Sequence, residues 1–294
     1  MYYRRKLILA LLEAFNGSLE KIKLQKLLML TARQQPKPDY YFVPYKFGCF
    51  SFQANTDLFT MTKYNQVSNE EQKWTKIDKS NYLDDLKEND RKAIFQVKKL
   101  YGHLGTDELL KLTYLQFPYF AINSTVAKVK LSADEYKKVL DARPQNNDYT
   151  LFTIGYEGIC LEQYINKLIG NNICVLCDVR KNAISMKYGF SKTQLQTACD
   201  GVGIKYIHLP DLGISADKRQ ELNTQNDYDT LFATYQSGVL KRTVWLQLQI
   251  LYLLNEKKRI ALTCFEANIN QCHRKVLADA ICRLEGFNYK LKHI

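Results

Sequence analysis

Residues 151–158 read Leu151-Phe152-Thr153-Ile154-Gly155-Tyr156-Glu157-Gly158, a strand-forming run that breaks into a polar, glycine-flanked turn. A short apolar run bounded in this way predicts a buried strand. The alternation it starts continues to the end of the chain. Predicted strands fall at 151–154, 173–179, 205–209, 260–265 and 289–294, and predicted helices at 161–168, 191–199, 243–254 and 272–284, with a long irregular stretch after 209. Strands alternating with helices predict an α/β domain: a Rossmann-like, largely parallel sheet with helices on both faces. Ligands of such sheets bind beyond the carboxyl ends of the strands.

Upstream, the polar stretch Arg143-Pro144-Gln145-Asn146-Asn147-Asp148 has the composition of a linker and separates residues 1–143 from residues 149–294. The first part reads as mainly helical. Helices are predicted at 4–15, at 19–33 behind a Ser18 cap, and at 90–101, 106–116 and 132–142. The aromatic stretch 40–52, with Gly48 at a turn, predicts a hairpin. Helices followed by a small hairpin outline a winged helix, and Ile22–Arg33 with Tyr41–Gly48 resembles winged-helix modules of bacterial multidomain proteins. That resemblance makes Lys21, Lys23, Lys26, Arg33 and Lys46 candidate nucleic-acid contacts. The alternative is a helical module that binds a protein partner, with these lysines as a solvated face.

The 294 residues carry a net charge of +12, shared as +7 up to residue 148 and +5 beyond it. Basic charge without a basic tail raises the expectation of a polyanionic partner. No apolar run approaches the roughly 18–20 residues that span a bilayer, so no membrane partner is expected. Leu7–Leu12 follows three cations, but no small-residue cleavage site follows it. Eight cysteines in a chain of this length suit reduced thiols, not a disulfide scaffold. A soluble, cytoplasmic protein is expected, of undefined oligomeric state.

Three polar segments lie just past predicted strand ends: Tyr156-Glu157, Asp178-Val179-Arg180, and Glu266 with Cys272-His273-Arg274. The α/β reading gathers them at one edge of the sheet. Arg180 and Arg274 near a helix start would bind phosphate or carboxylate, unless Arg180 instead braces the loops through Asp178 or Glu266. Cys272 at a helix start beside cations has the surroundings that depress a thiol pKa, with His273 or Glu266 as its base. Adjacent positions on a helix nevertheless point about 100° apart. Cys264, Cys272 and His273 are the side chains a zinc ion would use, with Glu266. Their spacing fits no common zinc pattern and their neighbours are basic, so the sequence names no metal site and requires no cofactor. Cys174 and Cys177 read as core residues of a strand.

These segments carry a family resemblance. Thr153–Gly158, Asp178-Val179-Arg180, Ser185 with Phe190-Ser191, Tyr206–Gly213 and Cys264-Phe265-Glu266…Cys272-His273-Arg274 resemble, in order and spacing, the domain-of-unknown-function 488 family over nearly all of 149–294. Members usually have a proline shortly before the serine matching Ser185, where this chain has Ala183-Ile184. The resemblance implies a fold and a site without an established reaction. The expected function is an enzyme acting on a nucleic acid or nucleotide, a hydrolase of DNA processing or of defence against foreign DNA. Asp178, Glu266, Cys272 and His273 would then be catalytic, and Tyr156, Glu157, Arg180, Ser185 and Arg274 would bind substrate. The alternatives are a sensor of an anionic ligand that binds DNA or protein without catalysis, and a thiol or metal enzyme.

Overall fold

The computed structural model describes residues 1–215, 217 and 222–294, and the chain divides into two compact units, Met1–Arg143 and Pro144–Ile294. In the first unit, α1 (Tyr3–Ala14) buries every residue from Leu7 to Leu12. It stops at Asn16 (φ 62°) and Gly17 (φ 81°), left-handed positions suited to asparagine and glycine. Next come β1 (Ser18–Glu20), α2 (Lys21–Ala32), β2 (Val43–Tyr45), β3 (Gly48–Phe50), α3 (Phe52–Lys63), β4 (Val67–Asn69) and β5 (Lys73–Lys76). The unit ends with α4 (Glu88–Tyr101), α5 (Thr106–Gln116), α6 (Ala127–Lys130) and α7 (Ala133–Asp141). Ser132 caps α7 in a reciprocal box with Glu135.

Ser18 does not cap α2. It belongs to β1, pairs with Thr75 of β5, and places its hydroxyl 3.0 Å from that of Thr75. The three antiparallel strands run in the order β1-β5-β4, while β2 and β3 form a separate hairpin inside the aromatic stretch. α2 is not a surface helix with a basic face. Every residue from Leu24 to Ala32 is buried, which makes it the central helix of the unit.

The second unit contains β6 (Thr150–Gly155), α8 (Leu161–Gly170), β7 (Val175–Asp178), α9 (Lys192–Asp200) and β8 (Lys205–His208). It continues with α10 (Gln225–Tyr235), α11 (Val244–Lys257), β9 (Arg259–Cys264), α12 (His273–Cys282) and β10 (Lys290–His293). The five strands are parallel, in the order β10-β6-β9-β7-β8, and are flanked by helices. Every residue of β9 and of β7 is buried, as expected of strands covered on both faces. α10 lies where an irregular stretch is expected. Its apolar positions Tyr228, Leu231, Phe232 and Tyr235 have helical spacing, masked in sequence by the polar residues between them.

The topology sets where a site can form. β6, β7 and β9 are adjacent and end together, so Gly155 stands beside Cys264 and Asp178 beside Thr263. A Cβ at Gly155 would lie 2.0 Å from the Glu266 carbonyl oxygen, so only glycine lets the segment after β9 cross the end of β6 so closely. Among the described residues, no helix is long and apolar enough to cross a membrane.

Candidate functional site at the strand ends

Asp178 ends β7, and its carboxylate is fully buried. Arg180 folds back onto it: Nε lies 2.8 Å from Oδ1, a terminal nitrogen reaches Oδ2, and the Arg180 backbone N–H donates to Oδ1. The remaining guanidinium nitrogen donates to the Tyr156 hydroxyl at 2.7 Å and the Phe190 carbonyl at 2.8 Å. The Tyr206 hydroxyl completes Asp178 at 2.6 Å. Burial works against the Arg180 charge, but the hydrogen bonds and attraction of Asp178 outweigh it and hold the pKa above its ordinary value. Arg180 is therefore a brace between strand ends, and its expected role as a free anion donor is corrected.

Tyr156 stacks on Phe190, centroids 4.2 Å apart and planes within 7°, which fixes the loop from Lys181 to Phe190. Ser185 stabilises the same loop: its N–H donates to the Ser191 hydroxyl, and its own hydroxyl accepts from the Lys187 N–H. Sequence reasoning missed Lys187, whose ammonium donates to the Tyr156 carbonyl at 2.8 Å. It also left Tyr206 without a role, although strand alternation puts it on the face of His208, whose ring contacts the Arg180 carbonyl.

At the end of β9 the thiol of Cys264 lies 3.7 Å from His273 Nδ1. The Cys272 thiol donates to Glu266 Oε2 at 2.8 Å, and Arg274 donates to the Glu266 carbonyl. Glu157 accepts from the Ala267 N–H at 2.8 Å and ties the same segment to the end of β6. Cys272 is the N-cap of α12, not its first residue, and its backbone is extended (φ −128°, ψ 130°). The divergence expected of neighbours on a helix does not apply to Cys272 and His273.

The expected reactive thiol is corrected as well. Cys272 is 1% exposed. Burial, then the adjacent Cys264 and Glu266, push its thiol well above the ordinary value, against the weaker pull of Arg274. His273 and Arg274 are buried too, and the Arg274 Nε has no hydrogen-bond partner.

Two clefts flank this cluster. One of about 320 Å³ is lined by Tyr156, Arg180, Lys181, Ser185 and Cys264. The other, of about 310 Å³, is lined by Glu157, Glu266 and His273, with Phe265 and Ile214 common to both. Asp178, Cys272 and Arg274 line neither. A larger cleft of about 390 Å³ shares Lys181 and Ile214 but lies farther along α10 and α11.

In the first unit the five basic candidates do not form one surface. Lys26 is buried and donates to the carbonyls of Phe47 and Cys49, which overturns its assignment to nucleic acid. Lys23 donates to the Leu104 carbonyl at 2.6 Å, Lys21 lies over Trp74, and Arg33 lies over Phe117. Lys46 is exposed beside Tyr45.

The second unit thus has the architecture of a parallel α/β protein, with polar residues from three strand ends gathered at its carboxyl edge. Residues 160–281 match the model of the family described as Domain of unknown function DUF488. The match spans α8 to the last turn of α12 and includes Asp178, Arg180, Ser185, Cys264, Glu266, Cys272, His273 and Arg274; Tyr156 and Glu157 lie before it. The C-terminal region resembles that family, whose description names no reaction. Neither curated proteins nor solved structures gave a match to the chain.

Proposed function

We propose that this chain is a cytoplasmic enzyme that acts on a phosphate-bearing substrate, a nucleotide or nucleic acid, at the strand-end cleft of its α/β unit. The observation that carries the reading is the cleft of about 320 Å³ at the carboxyl edge, which combines the exposed Lys181 with Ser185 and Tyr156. Its size falls within the range of small-molecule sites. Ser185 and Lys181, whose exposed ion pair with Asp211 at 3.2 Å a phosphate would have to displace, would supply donors for phosphate oxygens, and the exposed Ile184 and Met186 offer apolar surface to a base. Glu266, lining the neighbouring cleft, is the carboxylate placed to move a proton. Asp178 acts indirectly, by holding Arg180 and through it Tyr156 in position.

The first unit supports a winged-helix reading in a corrected form. In this reading the order α1, β1, α2, α3, β4, β5 and the sheet order β1-β5-β4 support a wing at 67–76 in place of 40–52, with α3 as the helix that would face a groove. Gln53, Asn55 and Lys63 of α3 would then replace α2 as the contact residues. One observation favours the second reading, a binding module for a protein: the exposed turn between β4 and β5 carries Glu70 and Glu71, which repel phosphate.

The test is fluorescence anisotropy of the full chain with labelled single-stranded and duplex oligonucleotides at low salt, alongside thermal shifts with nucleoside mono-, di- and triphosphates. Binding that weakens with salt at a log–log slope of about −0.9 per duplex phosphate contact is expected. No binding and no thermal shift with any of these probes overturns the proposal.

A further inference from the structure

Two thiols, an imidazole and a carboxylate meet where β9 gives way to α12. One ligand atom from each of Cys264, Cys272 and His273 lies within 4.8 Å of the others, and all three side chains are buried. Glu266 Oε2 is 2.8 Å from the Cys272 sulfur. A tetrahedral zinc ion with Zn–S of about 2.3 Å and Zn–N of about 2.0–2.1 Å sets sulfur and nitrogen about 3.6 Å apart. The separation from Cys264 Sγ to His273 Nδ1, 3.7 Å, is already that edge of a tetrahedron.

The imidazole is also oriented for ligation. His273 Nε2 lies 3.0 Å from the Val179 carbonyl oxygen. A carbonyl can only accept, so Nε2 carries a proton, and the nitrogen that faces Cys264 is Nδ1, the one a metal would use once that nitrogen is unprotonated. Metal-bound histidines nearly always donate their second ring N–H in this way, which fixes the tautomer and the ring plane. The Cys272 backbone removes the remaining obstacle. Because it is extended and precedes the helix, Cys272 and His273 converge despite being adjacent in sequence.

We propose that Cys264, Cys272 and His273 form a binding site for a zinc-class divalent cation, with the fourth tetrahedral position left open. Thiolate and imidazole donors select zinc over magnesium or calcium. Binding releases the two thiol protons to solvent and changes no oxidation state. Two thiolates neutralise the charge of a divalent ion, and the imidazole adds none. The site goes beyond the substrate reading and does not rest on it, because its occupancy is measured without substrate.

The experiment is elemental analysis of the full-length chain after incubation with zinc and removal of excess. About one zinc per chain is expected in the wild type and in the control Cys174→Ser, and at least a tenfold loss in Cys264→Ser and Cys272→Ser. Should either serine variant fail to fold, cobalt added to the metal-free wild type provides an independent reading. A thiolate-to-cobalt charge-transfer band with tetrahedral ligand-field absorption supports the site. No retained zinc and no such band from the reduced protein overturn it, as does a Cys264–Cys272 disulfide in a reduced-and-repurified sample that takes up no metal.

Discussion

The Arg180 guanidinium and the Asp178 carboxylate, two residues apart at the end of β7, form a buried ion pair through three side-chain hydrogen bonds. Both partners are almost wholly removed from water, with side-chain exposures of 6% and 0%. Removing one of them leaves an uncompensated charge inside the sheet edge. Asp178→Ala is therefore expected to cost about 3–5 kcal/mol of folding stability. Urea unfolding at constant m-value measures it, and a loss below about 1 kcal/mol would show that the pair is not the brace described above.

The thiols should react in an order set by exposure. Cys160, Cys174 and Cys282 are partly exposed, whereas Cys264 and Cys272 are buried. In a timed alkylation followed by peptide mass spectrometry, the first three label first and Cys272 is among the last. Burial, with the nearby Asp279 charge, pushes Cys282 up to about 11, so its labelling rate should climb roughly tenfold per pH unit below that value. A plateau near pH 8, or early labelling of Cys272, contradicts the described burial.

Lys26 and Lys63 separate a structural from a binding role. Lys26→Ala empties a buried position and leaves the Phe47 and Cys49 carbonyls without their donor, at a cost of about 2–4 kcal/mol. It should not alter the salt slope of nucleic-acid binding. Lys63→Ala, at an exposed position in the last turn of α3, should leave stability within about 0.5 kcal/mol and lower that slope by about one contact. The opposite assignment of effects would restore α2 as the contact helix.

Asp57 links the first unit to pH. It is buried between Arg4 and Arg5 and also accepts from the Tyr40 hydroxyl. Burial raises its pKa, but the hydrogen bonds from Arg4 and Arg5 outweigh burial, so the net shift is downward from 3.8. An acid with a depressed folded-state pKa contributes stability above its unfolded value, and that stability is lost as pH falls through the folded one. Acid unfolding monitored by circular dichroism should show Asp57→Asn less stable at neutral pH and less sensitive to pH below about 4. An unchanged acid profile would remove Asp57 from the transition.

Much of the second unit is legible because its strands are buried on both faces: Leu151–Ile154, Val175–Cys177 and Ile260–Cys264 are near-continuous apolar runs. β4 and β5 give no such signal. Val67 and Trp74 are their only buried residues, and Glu70-Glu71-Gln72 lacks the glycine or asparagine that marks a hairpin turn. The gathering of Tyr156, Asp178, Arg180, Glu266 and His273 follows from topology. Which of them pair with one another does not, because Arg180 could reach Asp178, Glu266 or a ligand equally well by sequence spacing. The burial of Cys272 and Lys26 depends on packing by distant segments, which composition near either residue does not disclose.

The place of β9 in the sheet has a kinetic consequence. β6 and β7 come early in their unit but never pair with each other, because β9 lies between them. That strand follows only after α9, β8, α10 and α11, so the pairings that unite the sheet join residues far apart in the chain. Contacts of this kind form slowly, since loop closure precedes any gain from pairing. Until β9 is inserted, β6 and the β7–β8 pair stand apart with open, apolar edges. Refolding of the α/β unit should therefore be concentration-sensitive, with self-association competing for the slot that β9 fills.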